Sequence, residues 1–120
     1  IYNVQWVPAL EKIIYSFLKH EEERNFDSIF SYFSEDMKRY YDITSPNYSN
    51  LKNRYTYLWG FTSNPKNHVK EITEINENTF DLITDYEYFN ERKNKSFVVN
   101  SSIRFVFDSN DKIIETYNIK

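Results

Sequence analysis

Two stretches of strict alternation constrain this chain more than anything else in it. In Thr79–Asn90, Phe80, Leu82, Thr84, Tyr86 and Tyr88 fall on one side, and Asp81, Ile83, Asp85, Glu87 and Phe89 on the other. In Ser96–Phe107, Phe97, Val99, Ser101, Ile103, Phe105 and Phe107 share one face. Side chains on a half-buried sheet repeat every second residue, so both stretches read as strands. Closing the charged Glu91–Lys95 segment as a hairpin sets Tyr88 against Phe97, Tyr86 against Val99, Leu82 against Ile103 and Phe80 against Phe105. The apolar faces then coincide, as a one-sided sheet requires. Asp108–Lys112 reads as the next turn and Ile113–Lys120 as the last strand, with Ile103 against Tyr117. His68–Ile75 is less regular: Val69, Ile72 and Ile75 are three apart, which a bulge reconciles with a strand.

The first half changes period. Pro8 suits a first helical turn, where its missing N–H costs nothing. Val7, Leu10, Ile14, Phe17 and Leu18 then form one apolar stripe. Glu21, Glu22 and Glu23 read as the solvated end of that helix, not as a metal site. A second helix is expected from Asp27, burying Phe26, Ile29, Phe30 and Phe33, followed by a short strand over Met37–Tyr41. Tyr48, Leu51, Tyr55 and Leu58 mark a third, with Gly60 placed to end it in a left-handed conformation. Thr62–Asn67, with Pro65, reads as a polar loop. The expected class is α+β: N-terminal helices covering a strongly curved antiparallel sheet of four to six strands.

At 120 residues the chain fits one domain, 1–120, since domains commonly hold about 100–150. It starts at Ile1, which we read as a fragment of a longer or processed protein. Both an exported or periplasmic and a cytoplasmic location stay open. No cysteine is present, which excludes disulfides and thiolate metal sites. His20 and His68 are the only histidines and sit in no spaced ligand motif, so no metal and no cofactor are expected. A net charge of −3 argues against a nucleic-acid partner. No apolar run approaches the ~20 residues of a membrane span.

Helix, second helix, short strand, third helix and a long meander is an order similar to that of the nuclear transport factor 2-like superfamily. Asn25-Phe26-Asp27 into Ile29-Phe30, then Phe33-Ser34-Glu35-Asp36, resembles that family's second helix and its ending. Phe105-Val106-Phe107-Asp108 and Lys112-Ile113-Ile114 resemble its final hairpin. The resemblance implies a cone: the sheet curls around the helices and leaves a pocket at its open end. Members include ketosteroid isomerases, dehydratases, polyketide cyclases, transport factors and association domains, so the fold alone does not fix the activity. Isomerase chemistry needs a carboxylate base, a Tyr and a neutral carboxylic acid. On this chain the resemblance puts Tyr15 near the Tyr, Tyr41 at the base position with Asp42 one beyond, and Ile103 where the acid belongs. An Ile cannot donate a hydrogen bond, so Asp42 is a weak catalytic candidate.

There remains an aromatic set, Tyr41, Tyr55, Trp59, Tyr86, Tyr88, Phe97 and Tyr117, with Tyr15 beside it. It reads either as packing that fills the cone or as a site for a small apolar or aromatic ligand oriented by Tyr hydroxyls. The leading expectation is a non-catalytic ligand-binding or association domain. The runner-up is a small enzyme of the isomerase, dehydratase or cyclase kind that uses a pocket carboxylate. The outer sheet face carries Ile83, Phe89, Val98 and Val106, an apolar patch large for a monomer, so a homodimer through that face is also expected.

Overall fold

The computed structural model describes residues 8–120. Val7 of the first stripe lies outside the described residues. Helix α1 spans Ala9–Glu23 and buries Ile14, Phe17 and Leu18. It stops at Arg24, whose left-handed backbone (φ 58°) returns its N–H to the Glu21 carbonyl. Helix α2, Phe26–Phe30, is capped by Asn25, whose side chain accepts from the Ser28 N–H; the cap is therefore two residues before the expected Asp27. Phe33 falls beyond α2 and is held by a bridge to Ile113 instead. Strands β1 (Arg39–Tyr40) and β2 (Ile43–Thr44) form a small hairpin. Helix α3, Tyr48–Trp59, opens with a reciprocal cap between Asn47 and Asn50.

Four long strands follow: β3 (Thr62–Asn76), β4 (Thr79–Asn90), β5 (Lys95–Phe107) and β6 (Ile113–Asn118). The six strands lie in the order β2-β1-β6-β5-β4-β3. The β4–β5 register is the expected one, with Tyr88 opposite Phe97, Tyr86 opposite Val99, Leu82 opposite Ile103 and Phe80 opposite Phe105. Phe80, Leu82, Phe105 and Phe107 are buried with the α1 stripe; Phe17 meets Phe33 and Phe105 edge-on, with ring centroids 5.6 and 5.8 Å away.

Four further expectations are corrected. The sheet is mixed, because β1 runs parallel to β6. Ile103 pairs with Asn118, and Tyr117 with Arg104, since a register shift between Val106 and Phe107 moves β6 by one residue. Residues 62–67 begin β3 rather than forming a loop: this is an edge strand, where Pro is tolerated, and a shift between Ser63 and Lys66 absorbs the left-handed Asn64. Gly60 stays right-handed (φ −68°), because its N–H and that of Phe61 continue the helical turn to the Thr56 and Leu58 carbonyls. Three register shifts along β3 bend and twist that edge of the sheet towards the helices.

Candidate functional site

The open end of the sheet holds a cavity of about 650 Å³. That lies in the range of small-molecule sites, roughly 300–1,000 Å³. The last turn of α1 gives Glu21 and Glu22; α3 gives Arg54, Tyr55 and Trp59; β1 and its turn give Tyr40, Tyr41 and Asp42; the sheet gives Thr84, Tyr86, Ser101 and Ile103.

Glu21 is the chemically distinctive group. Its residue is half-buried, its carboxyl is enclosed, and Tyr55 donates its hydroxyl to it. Burial pushes the Glu21 carboxyl up to about 7, against a smaller lowering by the Tyr55 bond, and the neighbouring Glu22 adds to the rise. Its place in the last turn of α1 acts in the same direction, because the negative end of the helix dipole disfavours a second negative charge. Glu22 is anchored by the Asn67 backbone N–H at 2.7 Å. Burial, then the charge on Glu21, pushes the Tyr40, Tyr41 and Tyr55 hydroxyls above the ordinary phenol range, and Tyr86 up to about 12. These phenols therefore remain protonated donors near neutral pH.

The rim is built differently. The two-residue turn after β1 puts Tyr41 at φ 53°, uncommon for an aromatic residue, and leaves Asp42 at the mouth with its side chain 78% exposed. Arg54 lies 2.8 Å from Asp42 and, by that hydrogen bond first, holds the Asp42 carboxyl below the usual range. Arg24 closes the wall: its guanidinium donates to the Trp59 carbonyl, the Thr62 carbonyl and the Thr62 hydroxyl at 3.3, 2.7 and 2.9 Å. The end of α1 is thereby tied to the end of α3 and the start of β3.

No protein-family model and no curated protein sequence matches the chain. Solved structures do. A SnoaL-like polyketide cyclase from Agrobacterium tumefaciens superposes with a TM-score of 0.79 at 8% identity, over 94% of this chain and 91% of that one. A protein with a ketosteroid isomerase-like fold from Catenulispora acidiphila, in complex with trimethylamine, gives 0.78 at 9% identity, over 94% and 85%. The chain has the nuclear transport factor 2-like fold. An epoxide hydrolase/cyclase-like enzyme of pyran ring formation in the polyether salinomycin gives 0.74 at 11%, over 91% and 88%.

Within this nuclear transport factor 2-like cone, Tyr41, Tyr55, Trp59 and Tyr86 of the expected aromatic set line the cavity. Tyr15 does not: it is 48% exposed, because it sits off the Ile14–Phe17–Leu18 stripe of α1. Tyr88 and Phe97 lie further along the β4–β5 arm, stacked at 5.7 Å outside the cavity lining. Tyr117 is on the opposite sheet face beside Arg104, with the Arg39 guanidinium 4.0 Å from its ring, a consequence of the one-residue shift in β6. Ile103 does line the cavity. Glu21 and Glu22, expected to be solvated, are the acidic wall. The signal that could have found them is that both continue the α1 stripe, three and four residues after Leu18.

Proposed function

We propose that the chain is a small-molecule enzyme that moves a proton, with Glu21 as the group that gives and takes it. The observation that carries this reading is an enclosed glutamate, hydrogen-bonded to Tyr55 in a cavity of about 650 Å³, holding its proton up to about pH 7. A catalytic acid or base works best when its pKa lies near the working pH. The phenols of Tyr40 and Tyr41 in the same wall would stabilise oxygen charge that develops as the proton moves. The cyclase and epoxide hydrolase/cyclase-like names among the similar structures support chemistry in this cavity. Proton transfer of this kind calls for no cofactor.

A second reading, a non-catalytic module that binds a small ligand, is favoured by the ionised, paired Asp42 and by Ile103, which leave the isomerase pattern incomplete. Carboxyl-detected NMR separates the two. The acid–base reading expects Glu21 to titrate near 7. It also expects any substrate found by screening hydroxylated and carbonyl compounds to turn over at least a hundredfold more slowly in Glu21→Gln. An ordinary titration near 4.5 would leave the binding module.

We also infer assembly as a homodimer through the outer sheet face. Val98 is 63% exposed there. The charges around it are matched across strands, Arg104 with Asp81, Lys70 with Asp85 and His68 with Glu87, so a partner would cover pairs and not lone charges. Sedimentation at micromolar concentration should give a dimer that Val98→Asp converts to monomer. A monomeric wild type would end this reading.

A further inference from the structure

We propose that the ligand of this cavity is a small organic cation, an ammonium group on an apolar or aromatic body, held between the Glu21–Glu22 carboxylates and the surrounding rings. This rests on the cavity read above as the working site and says what enters it.

Charge is the first determinant of what can enter. Among the described residues, neither Glu21 nor Glu22 makes an ion pair: Glu21 has the Tyr55 hydroxyl and Glu22 the Asn67 N–H. The cations nearby are committed elsewhere. Arg54 is paired with Asp42 at the rim. Arg39 lies over the Tyr117 ring and donates its Nε to the Tyr41 carbonyl at 2.9 Å. Arg24 is spent on Trp59 and Thr62. The remaining titratable groups facing Glu21, the phenols of Tyr40, Tyr41, Tyr55 and Tyr86, are neutral. The cavity thus presents two acidic groups and no free positive charge.

The wall supplies the second half of the complement. Tyr40, Tyr55 and Trp59 form a continuous row, with ring centroids 5.8 and 5.5 Å apart, and Tyr86 joins the wall from β4. Aromatic rings attract cations through their negative faces, most strongly where water is excluded. An anion would face two acidic groups in that same low-dielectric space, and once Glu21 has lost its proton a neutral molecule would leave the pair uncompensated.

One consequence distinguishes this from simple apolar binding. In the empty cavity, a proton on Glu21 relieves first the cost of burying its charge and, to a smaller degree, the repulsion from Glu22. A bound cation does the same, so the two compete. Below pH 7 the cation must expel the proton, and above it there is none to expel.

The test uses the full chain with phenyltrimethylammonium, whose charge is permanent, and its uncharged isostere tert-butylbenzene. Calorimetry in buffers of different ionisation enthalpy should show the cation binding at least tenfold tighter. About one proton should be released at pH 6 and about none at pH 8.5. Glu22→Gln should weaken the cation at least fivefold without changing the isostere. Equal affinity for the two probes, or, with Glu21 titrating near 7, cation binding without proton release at pH 6, overturns the proposal. If the cation fails while Glu21 still titrates near 7, the substrate class is wrong and the acid–base reading stands. If Glu21 titrates near 4.5, the acid–base reading falls, and the tenfold preference alone decides the cation.

Discussion

Glu21→Gln should stabilise the protein, and by an amount that depends on pH. In the folded chain the carboxyl keeps its proton to about pH 7; unfolded, it would release it near the usual 4.5. The gap corresponds to about 3 kcal/mol, at about 1.4 kcal/mol per pH unit. The sign follows from which state holds the proton. Below 4.5 both states are protonated and nothing is lost. Between 4.5 and 7 the unfolded chain ionises while the folded one stays protonated, so stability falls as pH rises. Above 7 both are ionised and the loss stays constant. Glutamine never ionises, yet its amide oxygen can still accept from Tyr55. The variant should therefore match the wild type near pH 4.5 and exceed it by about 3 kcal/mol at pH 8. With a urea slope of roughly 1–3 kcal/mol per M for a chain of this size, the midpoints should separate by about 1–3 M. Asp42, Asp85 and Asp108 are held below the usual carboxylate range, so their contributions fade only at lower pH, outside this window. The His68–Glu87 pair is present in both proteins and cancels in the difference. A constant offset between wild type and variant from pH 4.5 to 8 would refute the reasoning.

Phe105→Ala should destabilise by about 3–5 kcal/mol in urea unfolding, because Phe105 is 1% exposed and packed on Phe17. Val99→Ala, on the same strand face but 44% exposed, should change stability by no more than about 0.5 kcal/mol. Asn47→Ala removes the acceptor for the Asn50 N–H at the start of α3 and should cost about 1 kcal/mol, against a few tenths for Asn47→Gly.

The long strands were legible because alternation is a local signal. Every β4–β5 pair from Phe80–Phe105 to Tyr88–Phe97 follows from the period of two and the hairpin between them. That counting fails where the backbone inserts a residue. The shift between Val106 and Phe107 cannot be seen in Phe105-Val106-Phe107, and it turns Tyr117 from the cavity side to Arg104. Two-residue strands carry no period at all, so the parallel pairing of Arg39 with Glu115 and Tyr40 with Thr116 had no sequence signature. Pro65 and Asn64 have loop chemistry; only their place on an edge strand makes them compatible with a ladder.

The acidic wall was hidden by a reading that is usually right. Three consecutive glutamates at a helix end are ordinarily solvated, and Glu23 is exposed. But Glu21 lies seven residues after Ile14 and three after Leu18, so the buried stripe of α1 runs through it. Tyr55 stands on the stripe of α3 in the same way, four residues after Leu51. Two apolar stripes that each end in a polar side chain must bring those side chains together if the helices close over one sheet, because neither can turn to water without unpacking its own face. A glutamate and a tyrosine meeting under such constraint share a hydrogen bond, and burial raises the pKa of both, although the bond itself partly offsets the rise on Glu21, whereas Asp42, released by the turn at Tyr41, reaches solvent and finds Arg54. The place of a carboxylate on a helical stripe is therefore a better guide to this cavity than its distance along the chain from Phe33.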